Sequence, residues 1–297
     1  MDSTNTANAS PRSGWTTFFW SVVIFTVVSL ILVYATGGWS WWIPLPEVVS
    51  SHGGTVDKLF YITMWIVCIT FVLVQGAMIA FLIQYRHRPG RRAVYIHGHH
   101  RLEIIWTVTP TVILTLLIGY SIKVWADIRL DEPEQPGVVI DVLAQQFQWN
   151  FRYPNARLNT RTGHLSPSDP ESDFGRTDPS LFRPPTEFFG LDPNDPKGKD
   201  DVVTLNEFHF PVDTDVLVFL RSKDVLHSFF LPNFRVKMDA VPGSEGRLYF
   251  RAIKPGRYEL VCAELCGLNH YTMRARLVVD PTVQAFEAWL KENAPGP

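Results

Sequence analysis

The residue types best suited to chemistry lie close together near the C-terminus. Within residues 262–273, Cys262 and Cys266 are followed by His270 and Met273. Thiolate, thioether and imidazole ligands together favour copper, and a His/Cys site with a weak axial Met is typical of electron transfer. One cysteine would indicate a mononuclear blue copper site. Two cysteines in one loop offer two bridging thiolates, so this segment predicts a pair of copper ions.

A second imidazole must come from elsewhere in the chain, because each copper ion needs its own. The candidate is His227 in the run KDVLHSFFLPNF, where it is expected to end a strand. The weak ligands would be Met273 and a backbone carbonyl of the loop 262–266. A disulfide between the cysteines is the alternative in an oxidising compartment, but it would leave His270 and Met273 without a role. Taken alone, His227 would more often be an ordinary half-buried histidine.

Three apolar runs precede these residues and predict membrane helices over 15–36, 60–85 and 102–126, since about 20 apolar residues cross a bilayer. The first run could instead be a signal peptide. Its length and the poor cleavage site at 34–38 favour a retained helix, with residues 1–14 as a cytoplasmic N-terminus.

The loop between the second and third runs sets the predicted orientation. Residues 86–101 hold five arginines and no acidic residue, and short basic loops stay in the cytoplasm. We therefore expect a multi-pass protein of the bacterial inner membrane, with the segment after Trp125 on the periplasmic side. The formal net charge of -2 argues against a nucleic-acid partner, which would require many basic contacts to phosphate.

From residue 137 the pattern changes to short β-type runs separated by Gly and Pro. Residues 137–280 therefore predict an antiparallel sandwich or barrel, so that the fold class is membrane-anchored α+β. Residues 155–200 are rich in Pro, Asp and Ser and predict a long surface insertion. Residues 281–297 predict a C-terminal helix and tail. Cys68 lies inside an apolar run and is interpreted as a packing residue.

Two motifs resemble subunit II of the haem–copper cytochrome c oxidases: LRSKDVLHSFFLPNFRVKMDAVPG and CAELCGLNHYTM, with LEIIWTVTP upstream. The resemblance implies a cupredoxin-like Greek-key β-sandwich that carries a binuclear copper A centre. It also implies a set of metal ligands, in which Glu264 acts through its main-chain carbonyl: His227, Cys262, Glu264, Cys266, His270 and Met273.

The same resemblance implies a function. The chain would accept electrons from cytochrome c and pass them to haem in subunit I, where oxygen is reduced to water with proton translocation. Its partners would be subunits I and III and membrane lipid, and the chain would bind no haem itself. CxxCH is absent, so we expect no fused cytochrome c domain of the kind that some relatives carry. Three rival classes are a quinol oxidase subunit, nitrous oxide reductase and a tethered blue copper carrier. The number of copper ions per chain distinguishes the blue copper carrier, which would hold one, from the oxidase subunit, which would hold two.

The resemblance also assigns roles around the copper site. Phe147 stands where the family usually has the tryptophan that takes up electrons, and Trp149 matches its second aromatic; Trp149 could equally be a core aromatic of a strand. Asp224 matches an acid of the cytochrome c docking face. Asp213, Asp215 and Asp239 are weaker candidates for that face.

Further expectations concern the membrane boundaries. Glu103 matches the acid at the mouth of a proton channel shared with subunit I, and the Glu264 side chain would reach a magnesium ion shared with that subunit. The cluster of His97, His99 and His100 is interpreted as an interface feature. The insertion 155–200 and the unusual Phe147 suggest a membrane-bound cytochrome c donor, or one held in a supercomplex.

Overall fold

A computed structural model describes the chain in segments, and the predicted N-terminus 1–14 and insertion 155–200 lie partly outside them. The described residues are 12–35, 45–92, 95, 97–130, 136–154, 174–182, 189–199 and 201–295. The described residues divide into two units, one up to Glu47 and one from Val48 onward.

Three helices come first, and we label them α1 (Arg12–Ala35), α2 (Gly53–Gln84) and α3 (His100–Arg129). Helices α2 and α3 are long and apolar enough to cross a membrane, with mean hydropathies of 2.6 and 1.8 in their most apolar windows. Helix α1 belongs to the first unit, and its described apolar stretch covers only Phe19–Ser29. Two spans are thus evident, and the third span stays a prediction.

Both spanning helices extend beyond the runs predicted at 60–85 and 102–126. Helix α2 begins seven residues earlier and includes Asp57, because that carboxylate meets Arg235 of the β-domain at 2.6 and 2.9 Å. Helix α3 continues to Arg129, whose guanidinium donates to the Lys237 carbonyl at 2.8 Å. Tertiary contacts therefore prolong the helices through polar residues that hydropathy excludes.

The second half of the chain forms a sandwich of two five-stranded sheets. One sheet has the order β3-β2-β1-β5-β8 and the other β4-β10-β9-β6-β7. The strands are β1 (Val138–Gln145), β2 (Gln148–Tyr153), β3 (Val202–Leu205), β4 (Glu207–Pro211), β5 (Asp215–Ser222), β6 (His227–Leu231), β7 (Val236–Ala240), β8 (Gly246–Arg251), β9 (Gly256–Cys262) and β10 (Arg274–Asp280).

The sheets are mixed, so the prediction of a purely antiparallel sandwich was wrong in two places. Strand β1 pairs with β5 in parallel, and β4 pairs with β10 in parallel. Each parallel pair joins strands that are distant in sequence, as connections that cross between sheets require. The membrane-anchored α+β class with a β-sandwich is confirmed.

The core lies between the sheets and is dominated by aromatic rings. Phe151 of β2 and Phe208 of β4 stack at 4.4 Å between centroids, and both are fully buried. Phe229 of β6 contacts Phe208 from the same sheet at 6.1 Å. Helix α4 (Val283–Asn293), capped by the Thr282 hydroxyl, follows the last strand. The rings fix the distance between the strands that carry the site.

The insertion is more than a surface loop. Arg152 of β2 is 2% exposed and donates to Asp141 of β1 at 2.6 Å, to Asp201 at 3.4 Å and to the Gly175 carbonyl at 2.9 Å. Its guanidinium also lies 4.7 Å from the ring centre of Phe174. The buried arginine therefore attaches the described part of the insertion to the outer face of the sheet. The sequence of the insertion has little periodicity and did not indicate this attachment.

Candidate metal centre

Adjacent strands of one sheet bring the histidine and cysteine motifs together. His227 is the first residue of β6, not the last of a strand as predicted, and Cys262 ends β9. These strands are antiparallel neighbours, with Phe229 opposite Cys262. The loop after Cys262 returns at Met273, whose carbonyl accepts a hydrogen bond from the Cys262 N–H at 3.1 Å. Both ends of the loop are therefore held by the sheet.

The cysteine loop and His227 of β6 together bring all six predicted ligand groups around two sulfur atoms. The sulfurs of Cys262 and Cys266 are 3.9 Å apart. On one side, Cys262 Sγ lies 3.9 Å from His227 Nδ1 and 3.2 Å from the Glu264 carbonyl oxygen. On the other side, Cys266 Sγ lies 3.5 Å from His270 Nδ1 and 3.8 Å from Met273 Sδ.

The donor set and its spacing fit copper. Both cysteines are free, and their separation of 3.9 Å is well beyond the roughly 2.05 Å of a disulfide. A metal–sulfur bond is about 2.3 Å long, so two sulfurs at this distance can bind the same metal. His227, Cys262 and Cys266 alone place three ligand atoms within 4.8 Å of one another. Thiolate, imidazole and thioether donors are the soft set that copper prefers.

The cysteines differ in how readily they ionise. Burial opposes ionisation of Cys262, but contacts with His227 and with the backbone of Glu264 lower the pKa of this thiol to about 6. Burial and the neighbouring Cys262 sulfur raise the pKa of the Cys266 thiol to about 12. Cys262 therefore ionises readily, and Cys266 must ionise against the negative charge of the Cys262 thiolate. A cation between the sulfurs would favour both thiolates.

Asp224, predicted as a docking acid, is hydrogen-bonded to the site. One carboxylate oxygen lies 2.8 Å from His227 Nε2, and the other accepts the Gln146 N–H at 2.6 Å. Burial opposes ionisation of Asp224, but these hydrogen bonds hold the pKa of the carboxyl below its usual value. Its side chain is 29% exposed. The contact fixes the ring of His227, and the three-residue spacing Asp224–His227 was a sequence signal that could have revealed it.

Gln146 is a second contributor that the sequence analysis missed. Its side-chain amide donates to the Cys266 carbonyl at 2.7 Å. Gly267 follows with φ +132°, and a Cβ there would lie 3.0 Å from Gln146 Nε2 and 3.1 Å from Phe147 Cζ. The β1–β2 turn therefore packs directly on the cysteine loop. No spacing pattern links residues that are 120 positions apart.

The two aromatic candidates occupy different environments. Phe147 is half-buried in that turn and packs on Gly267. Trp149 is fully buried, with its ring centre 6.3 Å from that of His227 and 5.8 Å from that of Phe229. Trp149 is thus a core aromatic that also contacts a candidate ligand.

The remaining candidates have their hydrogen bonds and ion pairs, among the described residues, with groups outside the cysteine loop. Glu103 is in the first turn of α3, with its carboxylate 3.7 Å from His100 Nδ1. His99 caps that helix, accepting the Leu102 N–H at 3.4 Å. Asp215 pairs with Arg251, Asp239 accepts the Ser228 hydroxyl at 2.7 Å, and Asp213 sits in a turn with φ +56°.

Comparison with known proteins agrees with this architecture. The transmembrane domain of cytochrome c oxidase subunit II matches residues 38–124, and the periplasmic domain of the same subunit matches residues 197–281. Together with α2 and α3, these matches make the chain a membrane protein with its soluble domain outside the cytoplasm.

Individual relatives cover nearly the whole chain. The alternative cytochrome c oxidase subunit 2 of Bradyrhizobium diazoefficiens is 32% identical over 92% of this chain and 90% of its own. Cytochrome c oxidase subunit 2 of Thermostichus vulcanus is 31% identical over 92% and 85%. The crystal structure of the periplasmic domain of subunit II from Bradyrhizobium japonicum is 24% identical, with a TM-score of 0.36 over 53% of this chain and 94% of that one. The chain belongs to the cytochrome c oxidase subunit II family.

Proposed function

We propose that this chain is the electron-accepting subunit of its oxidase, holding two copper ions and passing electrons from cytochrome c to haem in subunit I. Oxygen reduction and proton translocation would then take place in that other subunit. The observation that carries the proposal is the pairing of each cysteine sulfur with a different imidazole, His227 at Cys262 and His270 at Cys266.

The site would have two halves, one for each copper ion, and both cysteine sulfurs would serve both halves. His227 and the Glu264 carbonyl lie on the Cys262 side, and His270 and Met273 lie on the Cys266 side. When bound by these residues, two copper ions would supply a one-electron carrier whose charge is spread over both metals.

The chain's own residues keep the site rigid and largely dry. Met273 is 1% exposed, Cys266 3% and Cys262 9%. Asp224 lies 2.8 Å from His227 Nε2, so a proton held on Nε2 would leave the lone pair of Nδ1 for a metal ion beside Cys262. A partner that fixes the tautomer of a ligand histidine sets its orientation and raises its basicity. Fixed ligands require little rearrangement during electron transfer.

The turn that carries Phe147 is our candidate surface for electron uptake. Phe147 packs on the cysteine loop and is partly accessible, whereas Trp149 lies behind it against His227. Because a phenylalanine stands at the outer position, we propose a cytochrome c donor that is membrane-bound or held in a supercomplex. Undiminished turnover with a soluble cytochrome c at raised ionic strength would contradict this.

Two acids would serve the partner subunit. We propose Glu103 for the mouth of a proton channel, because it is 48% exposed at the cytoplasmic start of α3, and an acid at a membrane boundary is a functional candidate. The Glu264 side chain, half-buried beside the cysteines, would reach a magnesium ion shared with subunit I.

Copper content and electron paramagnetic resonance of the purified full chain, reconstituted with copper, test the central proposal. Two coppers per chain with one unpaired electron shared by both nuclei is the expected result. One copper with a mononuclear signal would instead indicate a tethered blue copper carrier, and no bound copper would overturn the proposal.

A further inference from the structure

A groove runs along the cytoplasmic half of α2, away from the metal centre. It encloses about 790 Å³, within the roughly 300–1,000 Å³ typical of small-molecule sites. Its wall is apolar and includes Leu73, Val74, Ala77 and Phe81 of α2, and Trp106 of α3 closes one side.

The position of the groove along the membrane follows from the fold. Asp57, near the start of α2, is bound to Arg235 of the external sandwich, so the other end of α2 reaches the cytoplasmic surface. From Leu73 to the end of α2 at Gln84 the helix rises about 16 Å, at about 1.5 Å per residue, and Arg86 follows just beyond it. One leaflet of the hydrocarbon core is about 15 Å thick, half of about 30 Å. The groove therefore matches one leaflet and the adjoining headgroup layer.

The mouth of the groove is positively charged. Arg86 and Tyr85 line it. Arg91 lies over the Tyr85 ring at 5.8 Å and donates to the Gln84 carbonyl at 3.1 Å, which places a second guanidinium beside the mouth. Residues 86–101 contain no acidic residue to neutralise these charges. Guanidinium groups bind phosphate with two parallel hydrogen bonds.

We propose that this groove binds one anionic phospholipid of the cytoplasmic leaflet, with an acyl chain along α2 and its phosphate at Arg86 and Arg91. An apolar helix from another subunit would match the wall of the groove but would offer no anion to Arg86 and Arg91, whereas a phospholipid matches both the wall and the mouth. The site is independent of copper binding.

Lipid analysis of the intact oxidase, purified in mild detergent, tests the charge requirement. We expect phosphatidylglycerol to be retained by the wild type and to be bound about 30-fold more weakly in the double variant Arg86→Gln with Arg91→Gln. The matched control, Arg88→Gln with Arg92→Gln, removes the same charge from the same loop outside the groove and should retain the lipid. Equal loss in both variants, or a preference for phosphatidylethanolamine, would overturn the proposal.

Photo-crosslinking tests the occupant without altering any charge. A photoreactive phenylalanine analogue in place of Phe81 should crosslink to a phospholipid in native membranes. The filling variant Ala77→Phe should abolish lipid retention in the assembled oxidase. A crosslink to another protein subunit would show that a helix occupies the groove and would overturn the lipid assignment.

Discussion

The two histidines of the metal centre are held in different ways. His227 is fully buried at the start of β6, with its ring against Trp149 and its Nε2 fixed by Asp224. His270 is half-buried in a single 3-10 turn, and among the described residues the polar partner of its side chain is the Cys266 sulfur. One half of the site is therefore set by the sandwich and the other by the conformation of a loop.

The largest effect is expected from removing a shared sulfur. Cys262→Ser or Cys266→Ser deletes a donor common to both halves, so the binuclear copper signal should be lost entirely. Cys68→Ser in α2 is the control, because that thiol is far from the site in sequence and lies in a membrane helix. Electron paramagnetic resonance of the copper-loaded chain reads out the result. A surviving shared-electron signal in either loop variant would contradict the bridging role.

Deleting each imidazole separates the two halves. His270→Gly should lose the signal and regain it when free imidazole is added, since the half-exposed turn admits a small ligand. His227→Gly should not be restored, because that position is fully enclosed and a glycine also weakens β6. Copper absorption with and without imidazole measures both. Equal recovery of copper absorption in both variants would show that the two imidazole positions are equally accessible, which would contradict the difference between the halves.

Asp224→Asn should weaken copper binding about 10-fold, because partners of ligand histidines typically contribute 10–100-fold in metal affinity. Competition with a copper chelator measures this. Asp213→Asn is the control, since asparagine tolerates its left-handed turn conformation. If Asp224 served only to dock cytochrome c, the variant would raise KM for the donor and leave copper affinity unchanged.

The smallest effect is expected in the loop itself. Gly267→Ala introduces a Cβ 3.0 Å from Gln146 Nε2, so it should destabilise the chain by about 1–3 kcal/mol and weaken copper binding a few-fold. Gly243→Ala shares the positive φ but meets no atom within 4 Å, and should leave copper binding unchanged. Thermal unfolding and chelator competition distinguish the two. Equal copper affinities would show that packing of the turn on the loop does not matter.

Local sequence was sufficient to predict the elements whose ligand residues or apolar residues lie close together in the chain. The cysteine loop is recognisable because four donor side chains fall within residues 262–273, and α2 and α3 are recognisable because a bilayer requires long apolar runs. The ends of those helices were not predictable, because Asp57 and Arg129 are stabilised by the sandwich. The parallel strand pairs were missed because they join segments that are distant in sequence.

The sequence by itself determined the donor types, the fold class and the membrane orientation, since each depends on residue identity or local pattern. Only the tertiary structure decided how the donors are held. Gln146 reaches the Cys266 carbonyl and Asp224 accepts the Gln146 N–H across separations of 120 and 78 residues. Such contacts arise when the β1–β2 turn, the segment before β6 and the cysteine loop meet at one end of the sandwich, and no local spacing encodes that meeting.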